Sequence, residues 1–248
     1  MKKSILLLAL PFLFYACSSS VDVANMSEEE RLAYAMSLYN DEEYLDALTE
    51  FQGILLQFPG SQSVDDAQYY LGLTHFKRGE YILSAYEFSK LIKDMPASDF
   101  VPEAQYMLAE SYYQLSPSFH LDQRYTKKGI EEFQAFIDFF PSNERVPEAE
   151  AKIKEMNNKL AKKLYEAARI YEKMEYNVSA VEYYQEIENV YHDTQFAPMA
   201  SYRKIKVLLL DDKKKREAAK EAALFLARYP NDPNAAEVKS IEQTLGGA

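Results

Sequence analysis

The chain has 248 residues, 48% of them apolar, a net charge of −11 and one cysteine. The apolar share supports a packed core, and the negative charge argues against nucleic acid as a partner and against tight electrostatic attraction to anionic lipid. A single cysteine excludes a disulfide framework, so an oxidising compartment adds nothing to stability.

Residues 1–16 have the anatomy of an export signal, with Lys2 and Lys3 ahead of the apolar run from Ile5 to Tyr15. That run is too short to span a bilayer as a helix. It ends at Phe14-Tyr15-Ala16-Cys17. One reading is an ordinary secretory signal with an incidental cysteine. The other is a bacterial lipoprotein signal, which the segment resembles: small Ala16, then a cysteine that becomes the lipidated first residue. Phe14 departs from the aliphatic usual at its position. The resemblance implies lipidation at Cys17, and Ser18 after it implies sorting to the outer membrane. Residues 17–26 then form a short lipidated tether.

Folded structure is expected from Ser27-Glu28-Glu29-Glu30, which has capping-box spacing. Apolar residues follow at helical intervals, Leu32, Ala35, Met36 and Tyr39, and a second helix carries Tyr44, Ala47, Leu48, Phe51 and Leu55. The segment Phe58-Pro59 to Gln68 returns at Met95-Pro96 and at Phe140-Pro141. A worn copy follows at Tyr191-His192, and Tyr229-Pro230 opens a last one. Twelve residues before each proline, or before His192, the side chain is small: Ala47, Ser84, Gly129, Ala180, Ala218. Eight before stand Phe51, Phe88, Phe133 and Tyr184, with Ala222 the exception. Five before stand Ile54, Leu91, Phe136, Ile187 and Phe225. Small residues let two helices approach and large ones fill the groove beside them, while the proline ends the second helix. These units are expected at 27–64, 65–101, 102–146, 147–197 and 198–248, the last including a C-terminal tail.

A helix-turn-helix of about 34 residues with small and large columns in this order resembles the tetratricopeptide repeat. The proline spacing from Pro59 to Pro96 is close to that unit. A longer interval to Pro141 places an insertion at Leu115–Thr126, between the helices of repeat three. The next interval is longer still without loop composition, so Pro147 to Tyr176 reads as one extended helix. No strand alternation or hairpin dipeptide is present. The expected fold is all-α: a right-handed superhelical solenoid of five tetratricopeptide-like helix pairs, with a lengthened first helix in repeat four.

Asp122-Gln123-Arg124-Tyr125-Thr126 after a Ser-Pro bend, Phe139-Phe140-Pro141, and the run from Lys159 to Tyr176 together resemble the BamD family. Its members are lipoproteins of the outer-membrane β-barrel assembly (BAM) machine. The likeness covers nearly the whole mature chain and departs at repeat five, with Ala222 and the Lys213–Arg216 turn. It implies a lipid-anchored scaffold on the periplasmic face of the outer membrane. It also implies partners: a BamA-like barrel-forming subunit, other assembly lipoproteins, and the C-terminal segments of unfolded barrel precursors. Another repeat lipoprotein, such as a pilotin for a secretin, is the alternative; the insertion and the long helix speak against it.

In arrays of this kind the first helix of each repeat lines a concave surface. The register then turns Leu32, Met36, Tyr39 and Asn40 of repeat one toward a peptide-binding groove. Repeat two adds Tyr69, Leu73, Phe76 and Lys77, and repeat three adds Tyr106, Glu110, Tyr113 and Gln114. Each aromatic also has a plainer reading, as packing between neighbouring repeats. An aromatic surface suits aromatic-rich strand peptides, with Asn40 and Lys77 placed to hold their backbone and terminal carboxylate. His75, His120 and His192 are far apart, no metal-ligand spacing or phosphate loop occurs, and no carboxylate pair stands out. No enzyme activity, catalytic residue, metal or cofactor is expected.

Overall fold

The computed structural model describes residues 23–246. The signal segment, Cys17 and most of the tether lie outside these residues. After a 3-10 turn at Val23–Asn25 come five helix pairs: α1 (Glu28–Asn40) with α2 (Tyr44–Gln57), α3 (Val64–Lys77) with α4 (Tyr81–Asp94), and α5 (Val101–Leu115) with α6 (Arg124–Phe139). Then follow α7 (Val146–Lys173) with α8 (Asn177–Val190), α9 (Phe196–Leu208) with α10 (Lys215–Arg228), and a single α11 (Ala235–Gly246). Every α-helix packs on its neighbours in the chain, and every element among the described residues is helical. The fold is a tetratricopeptide-type helical solenoid. At 28 residues α7 is the longest helix, and it opens the fourth pair.

The local chemistry explains the ends. Ser27 and Glu30 close a capping box: the Ser27 amide donates to Glu30 Oε2 at 2.9 Å, and the Glu30 amide donates to Ser27 Oγ at 3.3 Å. Pro102 and Pro147 sit in the first turns of α5 and α7, where a missing N–H costs nothing. Between the helices of three pairs the chain turns through a left-handed residue at the same register position. It is Gly79 (φ 74°) in the second pair, but Glu42 (φ 63°) in the first and Glu175 (φ 62°) in the fourth.

All three packing columns are buried. Ala47, Ser84, Ala180 and Ala218 have no exposed surface, and neither do Phe51, Phe88, Phe133, Tyr184 and the Ile54–Phe225 column. At Gly72 a Cβ would stand 2.8 Å from the Phe88 ring, so the second pair closes only over glycine. One core cluster runs from Tyr69 through Phe88, Phe133 and Phe136 to Met156, joining the second pair to the long helix. The fifth pair has a smaller cluster, Ile205, Ala222, Phe225 and Val238, the last contributed by α11. That helix lies on α10 as the first helix of another repeat would, and so covers the end of the array.

Between α5 and α6, residues 116–123 form the expected insertion. Gln123 holds it, donating from Nε2 to the carbonyls of Ser118 (2.9 Å) and Leu121 (3.0 Å). Lysines of α7 hold it from the other side: Lys159 donates to Ser116 Oγ at 2.8 Å, Lys163 donates to the Leu121 carbonyl at 2.6 Å, and Lys162 sits 4.3 Å above the Phe119 ring. The basic turn at 213–216 is exposed, and two of its lysines pair locally, Lys214 with Glu217 and Lys215 with Asp212.

Candidate functional site

The twelve positions that the register turns toward the concave face fall into three environments. In the first pair Leu32, Met36 and Tyr39 are half-buried, and Asn40 is exposed at the end of α1. The Tyr39 ring is held edge-on by Tyr44 (5.8 Å) and Tyr70 (5.5 Å), and burial raises its pKa. In the second pair Leu73 and Phe76 are half-buried and Lys77 is exposed. Phe76 meets Tyr81 edge-on at 5.2 Å.

Tyr69 and Tyr106 are not on an open surface, which corrects the expectation for both. Tyr69 retains 7% of its accessible surface and stacks on Phe100 at 4.6 Å. Tyr106 retains 3%, stands edge-on to Phe133 and Phe136, and is covered by the Arg145 guanidinium 4.5 Å above its ring. The cause is shared. Phe100 and Arg145 are the residues just before α5 and α7, so each next helix begins by closing over the tyrosine of the pair before it. The sequence does hold a signal for this, since Phe100-Val101-Pro102-Glu103-Ala104 and Arg145-Val146-Pro147-Glu148-Ala149 are the same motif. Burial is the main cause that raises both phenols above their ordinary pKa, with Glu148 adding to it at Tyr106.

The rest of the third-pair surface is engaged by α7. Glu110 is buried and ion-paired with Lys152, and it accepts from Gln114 Nε2 at 2.9 Å. The Tyr113 hydroxyl donates to Glu155 at 2.7 Å, which with burial pushes its pKa up to about 12. The Lys152 ammonium lies 4.6 Å over the same ring. Side chains of α7 therefore occupy the face that α5 would offer. What stays accessible is a half-buried strip along α1 and α3, from Leu32 to Tyr39 and from Leu73 to Phe76, with Asn40 and Lys77 exposed at the helix ends and Gln114 exposed at the end of α5.

The strip is apolar and aromatic, with one amide and one ammonium at its ends. Burial keeps the Tyr39 phenol protonated at neutral pH, and no nucleophile–base pair stands among the strip's residues. No group of three or more metal-ligating side chains gathers among the described residues. His75 is buried, with Nδ1 2.8 Å from Glu80 Oε2, so it ties α3 to the following turn. Large apolar side chains with more exposure than the strip lie elsewhere. Leu45, Ile82 and Tyr86 are on α2 and α4, and Met174, Tyr176, Val178 and Leu210 stand at the turns of the fourth and fifth pairs. Sequence periodicity carries no sign of these second groups, because Leu45, Ile82, Tyr86 and Val178 stand outside the apolar stripe of their helices and Met174, Tyr176 and Leu210 stand in turns.

A family model described as "YfiO: Outer membrane lipoprotein" matches residues 24–220. The outer membrane protein assembly factor BamD of Rickettsia prowazekii (strain Madrid E) is 26% identical over 235 residues, covering 91% of this chain and 90% of that protein. The solved tetratricopeptide domain of P58(IPK) is 18% identical with a TM-score of 0.44, over 89% of this chain and 56% of that one. A thermophilic tetratricopeptide protein of Thermus thermophilus is 16% identical with a TM-score of 0.38, over 90% of this chain and 100% of that one.

Proposed function

The chain belongs to the YfiO family of outer membrane lipoproteins, and on that premise we propose that it is an outer-membrane protein assembly factor. The observation that carries this reading is the near end-to-end match to an assembly factor, with the insertion and the long fourth-pair helix in place. In this reading the mature chain starts at lipidated Cys17, and the tether to residue 26 holds five repeats at the periplasmic face of the outer membrane. No helix among the described residues is long and apolar enough to cross a membrane. Acyl chains are then the anchor, each buried methylene contributing about 0.8 kcal/mol.

The scaffold receives the C-terminal strand of an unfolded barrel precursor on the α1–α3 strip and passes it toward the barrel-forming subunit. Leu32, Met36, Tyr39, Leu73 and Phe76 supply area for alternating aromatic side chains, Asn40 meets the peptide backbone, and Lys77 meets the terminal carboxylate. Tyr69, Tyr106 and Tyr113 support the strip from beneath or beside it. The fourth and fifth pairs dock on the barrel-forming subunit, a role supported by the exposed Met174, Tyr176, Val178 and Leu210.

The test is a fluorescence titration of a peptide with the aromatic, alternating pattern of a barrel C-terminus. Tyr39→Ala/Phe76→Ala should keep its helical content and lose about 1–3 kcal/mol of affinity, the scale of interface anchors. Unchanged affinity in the folded double variant would remove the strip from the function.

A further inference from the structure

A cleft of 570 Å³ opens between the insertion, the start of α6, the middle of α7 and the end of α8. Four cations line it: Arg124, Lys127 and Lys128 from the first turns of α6, and Lys163 from α7. None of them forms an ion pair among the described residues, in a chain whose net charge is −11. Lys163 donates to the Leu121 carbonyl, Lys128 lies 5.0 Å over the Tyr112 ring, and Arg124 lies 4.9 Å over Tyr125. Among the described residues no hydrogen bond, ion pair or ring contact holds the Lys127 ammonium in place.

The start of α6 has one side-chain acceptor, Asp122, whose Oδ1 takes the Arg124 amide at 3.0 Å. The helix has no acidic residue in its first turn, and Gln123 in the N-cap position gives no side-chain cap. The Gln123 amide is already engaged by the insertion, with its Oε1 accepting from Thr126 Oγ1 at 2.7 Å. Arg124, Lys127 and Lys128 at this N-terminus oppose the helix dipole and Asp122 offsets them only in part, so this end favours an incoming negative group. Opposite lies an apolar floor, Leu160, Leu164 and Tyr191. Asp122, Glu131 and Glu186 complete the wall, so acceptors for N–H donors alternate with the cations.

We propose that this cleft binds an acidic peptide segment of a partner protein, with carboxylates beside apolar residues. A volume of 570 Å³ takes several residues, far more than one inorganic anion. A peptide has backbone N–H groups along its length that Glu131 and Glu186 can accept from. A concave site also keeps its cations away from the plane of a membrane. Lys163 acts twice in this arrangement, holding the insertion that forms one wall and facing the ligand. The site is separate from the α1–α3 strip and does not depend on what that strip binds.

The test uses the purified full-length protein and the fluorescein-labelled peptide Gly-Glu-Leu-Glu-Glu-Leu-Gly. Binding should weaken as ionic strength rises. Arg124→Ala/Lys127→Ala should raise Kd about fivefold, the scale of two exposed ion pairs, and Glu186→Gln, which removes negative charge from the wall, should lower it. Tyr39→Ala/Phe76→Ala should leave it unchanged. The proposal is overturned if the peptide with Gln in place of Glu binds equally well, or if the double variant and Glu186→Gln both bind as the wild type does. It is also overturned if phosphatidylglycerol vesicles bind through Arg124 and Lys127 while the peptide does not.

Discussion

The first helices also carry a small residue each, Ala35, Gly72 and Ala109 in α1, α3 and α5, and the residue four before it is polar and reaches a glutamate on the second helix of its pair. Arg31 donates to Glu50 at 2.7 Å, Gln68 to Glu87 at 2.6 Å and Gln105 to Glu132 at 2.9 Å. Each glutamate stands three residues after the small residue of its own helix, so pair geometry fixes where the contact forms. In the fourth pair the same two positions hold Leu164 and Tyr183, and the contact is replaced by apolar packing. In the fifth pair Glu221 keeps its place, but its counterpart is Ala197, too short to reach. Lys204, from seven residues further along α9, supplies the donor instead. It contacts Glu221 and Gln185, both at 2.7 Å, and also Glu188, which draws α8, α9 and α10 together.

The difference shows what each region uses to stay closed. The early pairs bury an aromatic at the second-helix column, Phe51, Phe88 and Phe133, and their polar contact adds to an already large core. The fifth pair has Ala222 there and only four residues in its buried cluster. A charge network stands beside that small core. Lys204 and Glu188 each retain 2% of their side-chain surface, and buried charges persist only when mutually compensated. Arg31 is buried as well, and Gly53 makes room for it, since a Cβ there would stand 2.1 Å from the guanidinium.

The largest expected effect would break this comparison at its charged end. Lys204→Ala leaves Glu188 buried without its partner and should cost about 3–5 kcal/mol, read as a lower urea midpoint. Lys204→Met/Glu188→Leu should recover most of that loss. If Lys204→Ala melts like the wild type, the network is not what closes the fifth pair.

A smaller effect tests whether the two regions share one packing register. Ala47→Leu in the first pair and Ala180→Leu in the fourth should each cost roughly 1–3 kcal/mol through overpacking. Equal losses would extend the common geometry across the array. A tolerated Ala180→Leu would show that the fourth pair, with its long helix, packs more loosely.

The smallest effect is a gain. Glu175 occupies the left-handed position that Gly79 fills in the second pair, and a residue with a Cβ is strained in that conformation. Glu175→Gly should stabilise by about 0.5–1 kcal/mol, seen as a higher Tm, and Gly79→Ala should lose a similar amount. A lower Tm for Glu175→Gly would mean that the Glu175 side chain contributes more than its strain costs.

The helix pairs, the three buried columns, the inserted loop and the long α7 are all legible in the amino-acid order. They follow from local spacing: the size of a side chain at a given register decides whether two neighbouring helices can close, and proline decides where one ends. Which side chains remain free is settled only by the folded chain. Tyr69 and Tyr106 share the register of Leu32, yet Phe100 and Arg145 close over them, because a ring is long enough to reach the start of the next helix. Glu110 and Tyr113 are engaged in the same way by Lys152 and Glu155, 42 residues further along the chain. Lys204 meets its carboxylates on two other helices, and the cations of the first turns of α6 pair with none among the described residues. Register determines where a side chain points; only the packed array determines what already waits there.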